Sequence, residues 1–320
     1  MSVSELLASP GGRLIELLCC PHDGASPLKP DGDALVCPAC AARYPVRDGI
    51  VSFLPAQALS EQDERERAMR DDESSWYDAM FEGYTNAVEV PTAVRRVGQP
   101  TGPILDAGCG TGRITEALLA LGQPIVSVDY SEACLRLTAK RTAARAGAPP
   151  VLAVQSDLRA LPFQPGAFAA ATCIEVYSQF RAPDRRRVLD EIAKALAPGA
   201  PFSISAFNYN LIFKLWKLRG NAGAQEGEHM LGGDYYYYRF TKAAFRRELE
   251  AVFDVEGLVG TRIIPARTLA EGLRRLRLRS ASDRFLAYMV ERGHRADFWL
   301  ERTPLSGQVG FFWQATARRR

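Results

Sequence analysis

Short apolar runs alternate with helical patterns between Pro103 and Phe207, and this alternation is the strongest constraint on the fold. The apolar runs predict strands at 104–105, 124–128, 151–154, 167–174 and 202–207. The helical spacings predict helices at 114–121 and 132–146, and a third that begins at Asp184 and ends near Pro198. Strands that alternate with helices in this way indicate a parallel, doubly wound α/β sheet.

Acidic residues and glycines follow the predicted strands, at the sheet edge where such folds bind ligands. The first strand is followed by Asp106, Gly108, Gly110 and Gly112, the second by Asp129 and Tyr130, and the third by Asp157 and Leu158. A glycine loop lets a ligand approach the backbone, and the helix after it offers free N–H groups. Carboxylates at the next two strand ends can accept hydrogen bonds from ribose hydroxyls and an exocyclic amine. The pattern therefore predicts an adenosine site.

Other nucleotide sites fit the loop less well. No Gly-Lys-Ser/Thr follows the glycines, which argues against a triphosphate loop. A nicotinamide dinucleotide is the main alternative, because Asp129 lies about 20 residues beyond the loop. Against it, the glycines are spaced G-x-G-x-G, and no second nucleotide-binding half is evident after Phe207. A binding module without catalytic activity is a further alternative, although the intact loop and three acids argue against it.

Three successive segments carry a family resemblance: "ILDAGCGTG", "VSVDYS" and "SDLRALPFQPGAFAAATC". In this order and spacing, from about Pro103 to Phe207, they resemble class I S-adenosylmethionine-dependent methyltransferases of the small-molecule type. The resemblance implies a Rossmann-like sheet of seven strands whose last strand is antiparallel. The segment "GQVGFFWQATARR", residues 307–319, is the candidate for that last strand.

The same resemblance implies roles for individual residues. Asp106, Gly108 and Gly110 would line the methionine side of S-adenosylmethionine, Asp129 would bind the ribose, and Asp157 with Leu158 would bind the adenine. A tyrosine of the preceding helix, Tyr77, would cover the cofactor, or would simply pack that helix. The candidate cofactor-binding residues are Tyr77, Asp106, Gly108, Gly110, Gly112, Asp129, Tyr130, Asp157, Leu158 and Ile174.

Four of the seven cysteines lie within the first forty residues, which in an intracellular chain suggests metal before disulfide. Cys37 and Cys40 form a C-x2-C knuckle suited to tetrahedral zinc. The segment resembles Trm112-like zinc ribbons, in which Cys20, Cys37 and Cys40 match ligand positions and Asp23 departs from the pattern. Cys19 and His22 are alternative ligands in the first half. Either a structural Zn²⁺ is bound, or the ribbon kept its fold and lost its metal.

We expect three regions in the chain. Residues 1–55 form the Trm112-like module, 56–100 a helical linker and cofactor lid, and 101–320 the methyltransferase domain. Insertions at 208–240 and 262–305 are expected to build the acceptor site, the second as helices between the last two strands. The tyrosines at 235–238 would alternate faces if extended, so that two of them face a pocket.

Chemistry at the acceptor is less constrained by the sequence. A general base is needed only if the nucleophile is a poorly ionised O–H or N–H group, and the candidates are Glu175, Tyr177 and His229. The abundance of aromatic residues favours an aromatic or apolar small-molecule acceptor. Aromatic residues can also stack on nucleic-acid bases, so an RNA base methyltransferase is the alternative.

Charge and hydropathy complete the expectations. The net charge of +3 is too small to indicate nucleic acid by itself, and we interpret the arginine-rich stretch 262–301 as a solvated helical face. No apolar run approaches the ~18 residues of a membrane span, and the N-terminus lacks the pattern of a secretory signal. We therefore expect a cytoplasmic protein without a membrane partner; the oligomeric state stays open.

Overall fold

The computed structural model describes residues 2–54, 68, 71–72, 83–145, 147–220, 226–231, 235–264 and 266–320. Much of the predicted linker and lid, including Tyr77, lies outside the described residues. The division into three regions therefore stays a prediction.

The first fifty residues form a short helix, a 3-10 helix and a four-stranded antiparallel meander. The capping box of Ser2 and Glu5 begins the first helix, because each side chain bonds the other residue's backbone N–H. The elements are α1 (Val3–Ala8), the 3-10 helix (Pro10–Leu17), β1 (Lys29–Asp31), β2 (Ala34–Val36), β3 (Arg43–Arg47) and β4 (Ile50–Ser52).

The central region confirms the predicted strand–helix alternation, with ends that shift by a few residues. Ser131 caps its helix by accepting a hydrogen bond from the Cys134 N–H. The elements are α2 (Tyr84–Val97), β5 (Ile104–Ala107), α3 (Arg113–Leu118), β6 (Ile125–Asp129), α4 (Glu132–Ala143), β7 (Val151–Gln155), β8 (Ala170–Cys173), α5 (Ala182–Ala195) and β9 (Pro201–Phe207).

The C-terminal region contains a hairpin, two long strands and the helices that separate those strands. Its elements are α6 (Leu211–Leu218), β10 (Gly227–Leu231), β11 (Tyr235–Arg239), α7 (Lys242–Glu250), β12 (Phe253–Thr261), α8 (Ala266–Arg275), α9 (Arg279–Tyr288), a π-helix (Met289–Gly293), α10 (His294–Leu300), α11 (Ser306–Val309) and β13 (Phe312–Arg319). The last strand begins five residues later than predicted, because Ser306–Val309 is helical. None of the helices in the described residues has both the length and the apolar character needed to cross a membrane.

Seven strands form the expected sheet in the order β7-β6-β5-β8-β9-β13-β12. Strands β5 to β9 are parallel to one another, and β13 lies antiparallel between β9 and β12. This confirms the Rossmann-like architecture with an antiparallel last strand. The glycine loop and the acids therefore lie at one edge of the sheet, beyond the carboxyl ends of β5, β6 and β7.

The N-terminal meander continues this sheet. Strand β4 pairs in parallel with β7, so that Val51 lies opposite Val154, and the sheet reaches eleven strands. The Cys19 N–H also bonds the carbonyl oxygen of Pro162 at 2.9 Å. The buried apolar side chains of both regions form one continuous core, which includes Leu35 and Leu152. The sequence indicated a module but gave no sign that it shares a sheet and a core with the rest.

Candidate functional site

The three glycines between β5 and α3 have positive φ angles of 74°, 53° and 84°, which favour glycine, but their surroundings differ. A Cβ on Gly108 would lie 2.5 Å from the side chain of Val176, and one on Gly112 would lie 2.9 Å from the backbone of Thr138. A Cβ on Gly110 would meet nothing within 4 Å. Packing therefore requires Gly108 and Gly112, whereas Gly110 faces open space that a ligand can enter.

Asp129, at the end of β6, is bonded to this loop. Its Oδ2 accepts a hydrogen bond from the Gly110 N–H at 2.8 Å, and its Oδ1 accepts one from the Ser131 N–H at 2.9 Å. Each carboxylate oxygen can accept a second hydrogen bond. The carboxylate thus holds the loop, and it lies beside the open space above Gly110.

Asp106 has a different environment from the one its position before the glycines suggested. Its side chain is buried, and its two oxygens accept hydrogen bonds from the hydroxyls of Thr115 at 2.6 Å and Thr172 at 2.8 Å. Burial raises the pKa of this carboxyl group. Asp106 therefore joins β5, α3 and β8 beneath the loop, and its side chain does not reach the open space.

The residues after β7 are already bonded within the chain. Asp157 accepts from the guanidinium of Arg159, with Nη2 to Oδ2 at 2.5 Å and Nε to Oδ2 at 2.8 Å. Leu158 and Ile174 are buried. The Tyr130 carbonyl oxygen accepts from the Gln155 amide at 3.1 Å, which ties the ends of β6 and β7 together. The exocyclic amine of an adenine bound at this edge would share the Asp157 carboxylate with Arg159.

A cluster of two carboxylates and two guanidinium groups, three of the four buried, lies beside the loop. The sequence analysis singled out only Glu175 among them. Arg113, the first residue of α3, lies 2.6 Å from Glu89 of α2 and 2.9 Å from Oε2 of Glu175. Arg262 donates to Oε1 of the same Glu175 at 3.1 Å. Asn86 also accepts from Arg113, at 3.0 Å. The cluster ties α2, α3, β8 and the segment after β12 together.

Glu175, which bonds both arginines of this cluster, has an uncommon backbone conformation. Its φ is 63°, and its N–H donates to the Ser205 hydroxyl at 2.8 Å. Burial and the facing carboxylate of Glu89 raise the pKa of Glu175 to about 8, against the opposing effect of the two arginines. The pKa of Glu89 is lowered by Arg113, against its own burial. Positive φ in a non-glycine residue is characteristic of functional sites.

Tyr177 does not lie where a catalytic residue would. Its side chain is fully buried, and its hydroxyl donates to Oε2 of Glu248 at 2.5 Å. Arg185 holds the same carboxylate. The 3-10 turn after β8 directs Tyr177 into the core against Phe240 and Phe245. This placement argues against a catalytic role for Tyr177.

His229 belongs to an aromatic cluster at the end of β9. It stacks on Tyr237 with ring centroids 5.2 Å apart, and its Nε2 lies 3.3 Å from Nη1 of Arg239. Since a guanidinium can only donate, the histidine Nε2 accepts. The lone pair that a general base would use is thus engaged with Arg239. Phe207 and Phe312 complete the cluster, the former 5.2 Å from Tyr237 and 4.7 Å from Phe312.

The tyrosine run alternates faces along β11. Tyr237 joins the aromatic cluster, whereas Tyr236 and Tyr238 lie under the guanidinium groups of Arg181 and Arg185, at 4.7 and 4.3 Å. One face of the hairpin thus carries rings toward the end of β9, and the other packs on arginines.

The cysteine cluster brings together the four residues aligned with ligand positions. The ligand atoms of Cys20, Asp23, Cys37 and Cys40 all lie within 4.8 Å of one another. The backbone N–H groups of Ala39 and Cys40 donate to the Cys37 sulfur, both at 3.4 Å. Three thiolates and one carboxylate form a donor set that suits Zn²⁺. Asp23, which departed from the ribbon pattern, takes the place of the fourth ligand.

The two alternative ligands lie outside this group. Cys19 is buried and its backbone bonds Pro162, whereas His22 is on the surface. Neither contributes an atom to the group of metal-binding side chains found in the described residues.

Two stretches of the chain match family models. Residues 104–199 match the methyltransferase domain, and residues 13–49 match the Trm112p-like protein family.

Curated relatives match less than half of this chain. The ubiquinone biosynthesis O-methyltransferase of Idiomarina loihiensis is 32% identical over 149 residues, which are 43% of this chain and 55% of that protein. The demethylmenaquinone methyltransferase of Clavibacter sepedonicus is 33% identical over 155 residues, which are 47% of this chain and 61% of that protein. The match thus spans little more than half the length of these relatives.

A solved structure matches over a longer range. The 1,6-didemethyltoxoflavin-N1-methyltransferase of Burkholderia thailandensis, with 1,6-didemethyltoxoflavin and S-adenosylhomocysteine bound, has a TM-score of 0.52 at 19% identity. The match covers 92% of this chain and 99% of that one. At this identity the likeness concerns the fold alone.

Proposed function

Because the chain carries a class I S-adenosylmethionine-dependent methyltransferase domain behind an N-terminal Trm112-like segment, we propose that it methylates an aromatic or apolar small molecule. The observation that carries the proposal is the open space above Gly110, which lies beside the Asp129 carboxylate at the end of β6. The relatives are named a ubiquinone biosynthesis O-methyltransferase and a demethylmenaquinone methyltransferase, which supports an aromatic acceptor as a class without identifying one.

The residues at the sheet edge fit S-adenosylmethionine, which supplies a methyl group activated on its sulfonium. Asp129 would accept the ribose hydroxyls, Gly110 would let the cofactor lie against the backbone, and Asp157 with Leu158 would contact the adenine. Asp106 would support the loop from below. Methyl transfer is an in-line displacement, so the protein contributes mainly proximity and alignment.

The aromatic cluster at the end of β9 supports the acceptor class. Phe207 and Tyr237 are half-buried and offer ring surface, and the buried Phe312 packs behind Phe207. The guanidinium carbon of Arg239 lies 3.9 Å from the ring centroid of Phe213. The guanidinium carbon of Arg262 lies 5.0 Å from the ring centroid of Phe312, and the same guanidinium donates to Glu175. The acceptor would therefore lie between the rings and the Glu–Arg cluster. We infer that Glu175 positions this side of the site, because both of its oxygens are already bonded to arginine.

Zinc in the cysteine cluster would have a structural role. The cluster lies at the end of the sheet formed by the N-terminal meander, five strands from β5 in the sheet order. A tetrahedral site filled by four protein ligands has no open position for catalysis.

Calorimetric titration with S-adenosylmethionine tests the cofactor assignment. We expect the wild type to bind, and Asp129→Asn to weaken binding by about a hundredfold, because hydrogen bonds to a charged acceptor contribute about 1.5–3 kcal/mol each. Glu132→Gln is the matched control, since this neighbouring carboxylate bonds Arg136 at the surface. A wild type that does not bind the cofactor, or an Asp129→Asn variant that binds as well as the wild type, contradicts the proposal.

The acceptor class is tested with tritiated cofactor. Purified protein would be incubated with a small-molecule extract and, separately, with total RNA. Label in the organic-soluble fraction supports the proposal, whereas label in RNA alone supports the alternative of an RNA methyltransferase. Tyr237→Ala should reduce transfer to the small molecule while leaving cofactor binding intact, because Tyr237 is half-buried in the aromatic cluster.

A further inference from the structure

The hairpin of α8 and α9 ends in a turn that exposes leucines and arginines together. Residues 273–280 read "LRRLRLRS", and we refer to them as the hairpin tip. Leu276 is 70% exposed and Leu278 is 50% exposed, whereas folded proteins rarely expose adjacent large apolar side chains to this degree. Leu269, two turns earlier on α8, is 48% exposed. Seven residues are about two helical turns, so Leu269 and Leu276 lie on the same face and together form an exposed apolar stripe.

The tip is a defined turn with its own hydrogen bonds. The Leu276 N–H donates to the Gly272 carbonyl, and the Leu278 N–H donates to the Leu273 carbonyl at 3.0 Å. Arg277 reverses the chain with a φ of 61°. The leucines are thus held outward by an ordered backbone.

The rest of the hairpin is packed against the protein. The buried Ser282 of α9 donates to the Ala270 carbonyl of α8 at 2.9 Å. Met289, in the π-helix that follows, packs on Val88 of α2. Other apolar residues of this insertion are therefore buried against the protein, whereas Leu276 and Leu278 remain exposed at the tip.

Charge indicates the kind of surface that the tip fits. From 262 to 302 the chain has ten arginines, no lysine and five acidic residues. Arg274 lies 3.1 Å from Asp283 and Arg275 lies 3.7 Å from Glu271. Within the described part of the chain, Arg277 and Arg279 have no ionic partner.

We propose that the hairpin tip binds the surface of an anionic lipid membrane. The leucines would enter the boundary of headgroups and acyl chains, and Arg277 and Arg279 would meet lipid phosphates. RNA would satisfy the arginines but gain little from the leucines. An apolar groove in a protein would satisfy the leucines but remove the guanidinium groups from water. This inference revises the expectation of no membrane partner and does not depend on the proposed function.

Co-sedimentation of the purified full chain with vesicles tests the proposal. We expect binding to vesicles that contain phosphatidylglycerol in phosphatidylcholine, weaker binding to pure phosphatidylcholine, and loss of binding at high salt. Leu276→Ser with Leu278→Ser should lower the partition coefficient about tenfold. Arg277→Ala with Arg279→Ala should lower it about thirtyfold at low salt.

Matched controls remove the same groups elsewhere. Leu7→Ser changes another exposed leucine, and Arg13→Ala with Arg47→Ala removes two other exposed arginines; both should bind vesicles as the wild type does. The proposal is overturned if the wild type binds vesicles with and without phosphatidylglycerol equally, or binds neither. It is also overturned if Leu276→Ser with Leu278→Ser binds vesicles as strongly as the wild type. It is also overturned if the arginine variant loses affinity for total RNA and not for vesicles. Thermal unfolding of each variant checks that the exposed substitutions leave the fold intact.

Discussion

Gly110 and Gly112 lie two residues apart in the same loop but have positive φ for different reasons. We expect Gly112→Ala to lower the free energy of unfolding by about 3 kcal/mol, because a methyl group there meets the Thr138 backbone in addition to the strained φ. Gly110→Ala should cost only about 1 kcal/mol, since its methyl group enters open space, but it should weaken S-adenosylmethionine binding. Urea unfolding and calorimetry measure the two effects. Equal losses of stability, or undiminished cofactor binding by Gly110→Ala, would contradict this distinction.

The pKa of Glu175 leads to a pH-dependent stability. Because its pKa in the folded protein is about 8, above the ordinary 4.5, its favourable contribution is complete below about pH 4.5 and is lost as the pH rises through 8. Glu175→Gln does not titrate at this position, so the free energy of unfolding of the wild type should fall by about 4 kcal/mol relative to this variant between about pH 5 and pH 9.

Urea unfolding at a series of pH values measures the Glu175 effect. Glu132→Gln is the control, because it removes a partly exposed carboxylate that lies outside this cluster. A constant difference between the wild type and Glu175→Gln over this range would mean that Glu175 is ionised throughout. Glu175→Ala should be far less stable than Glu175→Gln, since it leaves Arg113 and Arg262 without their shared partner.

Among the elements, the four-strand meander depends on the cysteine cluster most directly. We expect the purified protein to contain zinc and a strong chelator to lower its Tm by about 5 °C or more, because a small meander gains stability from a metal crosslink. Cys37→Ser should lose the zinc and become insensitive to the chelator. Cys134→Ser is the control, since Cys134 lies in α4 and contributes no atom to the cysteine cluster. Elemental analysis and thermal unfolding measure both effects; protein without zinc and with an unchanged Tm would mean that the ribbon lost its metal.

The elements also show which parts of the fold a sequence can predict. The strands β5 to β9 were predicted because each is a compact apolar run flanked by polar or glycine residues. The residues after them were predicted because parallel strands end at one edge. The Glu–Arg cluster was missed, since Glu89, Arg113, Glu175 and Arg262 come from four distant segments, and each one alone is an ordinary charged residue.

On the scale of the whole molecule, the two family segments form one sheet. The N-terminal module was expected, but its pairing with the central sheet was not, because the pairing of β4 with β7 joins residues about a hundred positions apart. The exposed residues of the second insertion also indicate a binding surface that the sequence analysis did not predict. The arginine stretch was interpreted as a solvated face, and the structure adds the outward leucines that distinguish a docking surface from a solvated one.

Sharing a sheet predicts that the methyltransferase domain does not fold well without the N-terminal segment. A chain that begins at Gly83 would leave β7 as an open edge and expose Leu152, Val154 and Phe163, which the meander and the 3-10 helix now help to bury. Open apolar edges promote aggregation. We expect the truncated chain to be insoluble or to elute as aggregates in size-exclusion chromatography.

Co-expression of residues 1–54 as a separate chain should restore soluble protein, because strand pairing and apolar packing hold the segment in place without a covalent link. A truncated chain that is monodisperse and binds S-adenosylmethionine as the full chain does would show that the segment is an independent module, joined to the sheet without supporting it.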